Sequence, residues 1–439
     1  MRKLSFLLFF FVVSCSRTPP LSDEVVVNRI GNRLGKQVSW GSSEKFDDFI
    51  QQVSHGELTV DLAVQIALLN NPKIQAMFEE IGIAHADLIE AGLYSNPVFE
   101  IFFRFPDEKN LVMDIDSQIM GVLLDLFMVP LRKKVAQADL ERVQFEVSQQ
   151  VLDLTCRVQE VYYRLSFAQS HSANLKAITE LNEAEYEIHR VQQKAGNIYQ
   201  VRENEAKAAA LFADIEMNES LSEIIQYRKE LNQLMGFGED VEGWRVPCTD
   251  KELPKTPDSL EVLQKRALES RFDLCALYWD LQRIARTGAT KKWWAYTEAM
   301  LGAASEREPE GSWITGPAIG GAIPIFNYGQ ADRARLRSFL RQRTDQYLAL
   351  KIAILNEVGA AFEKQELFRK AAIEYASNIL PTRSIVVNET QRLYHVMALS
   401  PFALLQIEQD FLNQIQYMRT LRDFWIARVH LTRAVGGRL

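Results

Sequence analysis

The sequence is poor in residues that interrupt helices. Its 439 residues include 21 Gly and 14 Pro, counts that argue against many short strands and turns and suit long helices. Cysteine is scarce too, and 4 Cys cannot build a disulfide scaffold. There is no basic excess. Lys and Arg number 50 against 57 Asp and Glu, for a formal net charge of −7, which argues against a nucleic-acid partner. The 6 histidines (His55, His85, His171, His189, His395 and His430) show no metal-ligand spacing. No phosphate loop is present, because neither Gly320-Gly321 nor Gly436-Gly437 is followed by Lys-Ser/Thr. An enzyme is therefore not expected, and no catalytic residue, metal ligand or cofactor is assigned. Beyond the N-terminal segment no run reaches 18 consecutive apolar residues. If the mature chain crosses a membrane, it must do so with strands of a closed barrel.

The N-terminal segment itself reads as a signal. Arg2 and Lys3 precede an apolar stretch, Leu4 to Val13, about half the length of a membrane-spanning helix. Val12-Val13-Ser14-Cys15 resembles a bacterial lipobox, which implies removal of residues 1–14, acylation of Cys15 and, with Ser16 following, export to the outer membrane. The alternative is an ordinary signal peptide with an incidental cysteine. Residues 15–56 are then a polar tether.

Downstream, the sequence repeats at an offset near 200. Ala67 to Met77 parallels Ala267 to Leu277. Leu126-Phe127 with Arg132-Lys133-Lys134 parallels Ile325-Phe326 with Arg333, Arg335 and Arg337. Ala195-Gly196-Asn197-Ile198 parallels Ala398-Leu399-Ser400-Pro401. A breaker-rich segment, 236–257, separates a first repeat, 57–235, from a second, 258–439.

Each repeat predicts a helix, two strands, a very long helix, a turn and a returning helix. In the first, residues 59–92 are helical and Asn96–Phe105 alternates, with Phe99, Ile101 and Phe103 on one face and Glu100, Phe102 and Arg104 on the other. Leu111–Leu123 alternates again, Met113, Ile115 and Ile119 opposing Asp114, Asp116 and Gln118. The second repeat carries weaker strands at Ala295–Ala304 and Ser312–Ile323, joined by a turn at Ser305–Gly311. Apolar-out, charged-in strands of about ten residues suit a membrane barrel; a soluble hairpin on a core is the alternative. Tyr94, Phe127, Trp293, Trp294, Phe326 and Tyr328 fall at strand ends, where an interfacial girdle would lie. Leu131 to Lys194 contains neither Pro nor Gly and would span roughly 96 Å as a helix. Within it Val147, Val151, Leu154, Val158, Val161, Leu165 and Ala168 alternate by four and three, a coiled-coil seam. The second long run, about 329–396, is interrupted only by Gly359 and Pro381, and Pro381 predicts a kink.

These features resemble the TolC-like outer membrane factors, the exit ducts of bacterial efflux pumps and type I secretion systems. The carrying residues are Cys15, Leu58-Thr59, Asn71-Pro72, Ile323 to Gly329, Ile379-Leu380-Pro381, Ser400 to Leu405 and Ala434-Val435-Gly436. In the first repeat Pro130 follows the aromatic residue instead of preceding it, a departure from the family's junction. The resemblance implies a mixed α and β homotrimer anchored in the outer membrane through Cys15. Four strands per subunit would form a twelve-stranded barrel, continued by a periplasmic helical barrel. Implied partners are a periplasmic adaptor, an inner-membrane transporter and outer-membrane lipid. The alternative is a lipid-anchored periplasmic coiled-coil adaptor or structural lipoprotein. In such a channel Glu100, Arg104, Asp114, Asp116 and Glu298 are expected on the lumen face, favouring cations or merely wetting it. The periplasmic tip and gate candidates are Gly196, Asn197, Arg202, Glu203, Glu389, Arg392, Ser400 and Pro401, with the four charged residues pairing across helices. Cys156, Cys248 and Cys275 read as isolated thiols, with a Cys248–Cys275 disulfide as the alternative.

Overall fold

The computed structural model describes residues 56–107, 111–238, 244–247, 253–254, 258–291, 299–323, 325–396, 398 and 405–437. The signal segment, Cys15, the tether up to residue 55, Trp293, Trp294, Glu298, Ser400, Pro401 and Cys248 lie outside them. In chain order the elements are α1 (Val60–Asn70), α2 (Pro72–Ala91), β1 (Val98–Arg104), β2 (Asp114–Val122), α3 (Asp125–Lys194) and α4 (Gln200–Met235). There follow α5 (Leu260–Ser270), α6 (Phe272–Lys291), β3 (Met300–Arg307), β4 (Trp313–Gly320), α7 (Gln330–Glu374), a π-helical turn (Tyr375–Ile379), α8 (Leu380–His395) and α9 (Leu405–Val435). Among the described residues no helix is long and apolar enough to cross a membrane. The chain divides into two compact units: residues 79–144 with 276–346, and residues 56–78 with 145–275 and 347–437.

The first unit holds the sheet. Four antiparallel strands lie in the order β1-β2-β3-β4, so β1 and β4 are open edges. β1 and β2 fall within the alternating segments Asn96–Phe105 and Leu111–Leu123. β3 differs from expectation: it runs through Ser305, Glu306 and Arg307, which pair with Ser117, Asp116 and Ile115 on one side and with Thr315, Ile314 and Trp313 on the other. These polar residues resemble a turn by composition, but two flanking strands keep their backbone groups paired. The turn is shorter, closed by the Glu308 amide donating to the Ser312 carbonyl at 2.9 Å. α3 also begins earlier than Leu131. Pro130 sits in its second turn, where it removes one hydrogen bond near the end of a 70-residue helix. Asp125 secures the start, accepting from the Ser95 amide at 2.7 Å and pairing with Arg132 at 3.2 Å.

The second unit is helical. Thr59 caps α1, its Oγ1 accepting from the Leu62 amide at 3.3 Å. The single helix expected over 59–92 is broken at Asn71, which is extended (ψ 116°) because Pro72 excludes its predecessor from helical geometry. The same break recurs 200 residues on at Arg271 (ψ 129°), with no proline after it. There the buried guanidinium reaches Asp273 at 2.6 Å, Glu357 at 2.5 Å and the Ala434 carbonyl at 3.3 Å. Both breaks satisfy helix-end carbonyls, which have no partner within their own helix. Asn71 Nδ2 donates to Leu234 at 2.8 Å and Asn70 Nδ2 to Met235 and Gly236 at 3.0 Å. Ser270 Oγ donates to Val435 at 2.8 Å. The core of this unit joins Leu263, Ala267, Leu274, Ile354, Val358 and Leu431. Six of the seven coiled-coil seam residues are buried, and Leu154 is half-buried. At Pro381 the expected irregularity takes the form of the π-turn just upstream, with the Leu380 amide bonded to the Tyr375 carbonyl.

Candidate pore face and helix-turn tip

Because side chains alternate across a strand, the register sorts the sheet into two faces. On one, Glu100, Phe102 and Arg104 lie opposite Gln118, Asp116 and Asp114. Glu306 lies beside Asp116, and the face continues through Gly302, Ala304, Gly316, Ala318 and Gly320. Arg104 binds the two aspartates, Nη1 to Asp114 Oδ2 at 3.0 Å and Nη2 to Asp116 Oδ2 at 3.6 Å. Gln118 Nε2 donates to Glu100 Oε2 at 2.5 Å. Four expected lumen residues, Glu100, Arg104, Asp114 and Asp116, thus share one face. Glu306 joins them. Sequence reasoning misses it because the polar run Ser305–Gly311 reads as a turn, and the small residues preceding it give only a faint alternation.

The other face is apolar except at its end, where Arg307 lies between Ile115 and Trp313. Phe99, Ile101, Phe103, Ile119, Leu301 and Ile319 are exposed on it. Ser117, Ser305 and Thr315 interrupt it side by side, but they satisfy one another: Ser117 Oγ donates to the Ser305 carbonyl at 3.0 Å, and the Ser305 and Thr315 hydroxyls are 3.0 Å apart. Hydroxyls paired within the sheet leave the face compatible with hydrocarbon. Close strand approach constrains one position on the opposite face. A Cβ on Gly302 would fall 1.9 Å from the Ile119 carbonyl oxygen. Tyr94, Phe127, Phe326 and Tyr328, expected at strand ends, lie beyond them in the connecting segments, Phe127 in the first turn of α3, and all four are exposed.

The turn between α3 and α4 is a glycine-terminated helix end. Gly196 adopts φ 77°, and the Gly196 and Asn197 amides donate to the Gln193 and Gln192 carbonyls, each at 2.9 Å. The charged tip candidates pair locally. Arg202 binds Glu205 at 3.3 Å and Arg392 binds Glu389 at 3.4 Å, each three residues along its own helix. Among the described residues Arg202, Glu203, Glu389 and Arg392 form no pair between helices. All four lie on long, exposed helices where a neighbour three positions away is always within reach. Cys156 is a buried thiol whose pKa burial pushes up to about 12, and it is inert as a nucleophile.

No protein-family model and no curated sequence matches the chain. Solved structures do. A membrane protein from Pseudomonas aeruginosa is 17% identical, with a TM-score of 0.69 over 91% of this chain and 97% of that one. The Campylobacter jejuni CmeC outer membrane channel is 14% identical, with a TM-score of 0.70 over 92% and 89%. The open state of the Neisseria gonorrhoeae MtrE outer membrane channel is 14% identical, with a TM-score of 0.67 over 86% and 89%. The chain therefore has the fold of outer-membrane channels of the TolC type. That fold extends over nearly the whole length of both partners in each comparison.

Proposed function

We propose that this protein is the outer-membrane channel of a tripartite efflux pump or type I secretion system. It acts as a passive conduit from a periplasmic tip to the cell exterior. One observation carries the proposal: a four-stranded antiparallel sheet with one apolar face, one polar face and two unpaired edges. Lipid offers no partner for edge amides and carbonyls, so such a sheet enters a bilayer only by closing against copies of itself. Two copies would give eight strands, whose interior side chains fill. Three give twelve, and the Gly and Ala residues of the polar face leave that bore open. A homotrimer anchored through Cys15, meeting a periplasmic adaptor and an inner-membrane transporter at its helix-turn tip, completes the assembly. Residues 57–235 and 258–439 act as the two repeats of each subunit.

The alternative, a lipid-anchored coiled-coil adaptor or structural lipoprotein, has no use for an exposed Phe99-Ile101-Phe103 face. The two are separated by electrophoresis in detergent and by planar-bilayer recordings. A barrel migrates as a trimer that dissociates only on heating, and it conducts. A species that is monomeric without heating and electrically silent would overturn the channel.

A further inference from the structure

The strand-to-helix junctions carry a feature that conduction does not need. The chain is acidic overall, yet residues 330–346 hold Arg333, Arg335, Arg337, Arg341 and Arg343 against Asp332 and Asp345. Arg333, Arg337 and Arg341 recur every four residues and so share one face of α7. Exposed Lys133 and Lys134 stand near the start of α3. Both starts flank α6, within the first unit: Arg286 Nη1 donates to the Lys134 carbonyl at 2.9 Å, and Lys291 Nζ binds Asp332 at 3.2 Å. Lys133, Lys134, Arg337 and Arg341 have no acidic partner among the described residues, although neighbouring Arg335 and Arg343 do. Beside these cations stand exposed aromatic rings. Phe326 is 90% and Phe127 70% accessible, and the Arg333 guanidinium lies over the Tyr328 ring, 5.2 Å from its centroid.

We propose that these cations form a collar that binds the phosphate headgroups of anionic phospholipids in the leaflet on the helical side of the barrel. The proposal rests on the membrane-barrel assignment above and adds a lipid preference to it. The exposed aromatics mark the interface. Along α7, Arg333 and Arg337 come about 5 and 10 Å after the helix start, against a headgroup layer about 5–8 Å deep. Arg341 follows within about one Debye length, roughly 8 Å, of that layer. Unpaired cations at this depth attract anionic lipid, whereas the paired ones are largely neutralised. Each should favour an anionic over a zwitterionic headgroup by about fivefold.

The full chain, reconstituted in phosphatidylcholine vesicles, would be probed with spin-labelled phosphatidylglycerol and phosphatidylcholine. Their relative association at the protein surface is the readout. The wild type should select phosphatidylglycerol. K133Q/K134Q and R337Q/R341Q should each lose part of that selectivity and the quadruple variant fivefold or more, with helical circular dichroism and heat-dependent migration retained. K176Q/K207Q, on exposed helix surface elsewhere, should match the wild type. High salt should suppress the selectivity, whereas millimolar inorganic phosphate, a free anion, should not. Unchanged selectivity in the quadruple variant, or equal loss in K176Q/K207Q, overturns the collar while leaving the channel standing. A wild type that immobilises neither lipid overturns both.

Discussion

Glu160 on α3 is held by side chains from two helices. His430 Nε2 lies 3.8 Å away, Arg164 Nη2 at 2.7 Å and Arg157 Nη1 at 3.3 Å. His430 is the largest influence on the carboxyl. With the arginines it outweighs burial, which acts upward, and holds the pKa at about 2. A depressed carboxyl pKa contributes stability above its unfolded value, about 4.3, and that stability drains as pH falls toward 2. Glu160→Gln should therefore be less stable than the wild type at pH 7, and its stability should change less between pH 4.5 and 2. Parallel curves across that window in a denaturant titration would show that the site does not couple protonation to folding. In the sheet, Gly302 permits the β2–β3 approach. Gly302→Val places a side chain against the Ile119 carbonyl and should abolish assembled protein, while Gly316→Val, with nothing within 4 Å, should assemble normally. Equal yields on a heat-modifiability gel would contradict the register. Residues of this kind were only partly legible in the sequence. A two-residue period revealed Glu100, Arg104, Asp114 and Asp116. Glu306 was hidden because its strand is held by two neighbours and not by its own composition.

Among the elements, the helix breaks show where sequence signals run out. Pro72 announces the break at Asn71, but nothing adjacent to Arg271 announces its twin. That break depends on Glu357 and Ala434, far away in sequence and close only after folding. Pro381 was legible as a disturbance, though not as a π-turn. The turn spans Tyr375–Ile379, buries none of its residues, and follows a helix that buries Ile354, Val358, Gln365 and Ala372. Wider π spacing relieves the clash a proline ring would make with the carbonyl four residues back. Pro381→Ala restores an amide that can bond to the Ser377 carbonyl. The variant should regain α-helical spacing here, with slower amide exchange over residues 377–381. Its gain in stability should stay below the roughly 3 kcal/mol that an interior proline costs, because the turn already absorbs part of the strain. Unaltered exchange would mean the π-turn is imposed by packing and not by the proline.

At the scale of the whole molecule the open edges decide the assembly. Four strands alternate in direction, so β4 of one copy can pair antiparallel with β1 of the next, and the contact is head-to-tail. A head-to-tail contact either closes into a ring or grows without limit. Within one copy, β1 and β4 are separated by two strands, roughly 14 Å at the usual interstrand spacing. That is beyond the approximately 7 Å Cα separation a disulfide tolerates. Any bond between the two edges is therefore between copies. Phe102→Cys paired in turn with Ile314→Cys, Gly316→Cys or Ala318→Cys samples neighbouring registers on the polar face. With mild oxidation, at least one pair should give covalent dimers and then trimers on a non-reducing gel, stopping at three. A ladder running past three would indicate open stacking of sheets. Failure of all three pairs, in protein that still migrates as a trimer before heating, would place the closing contact somewhere other than these edges.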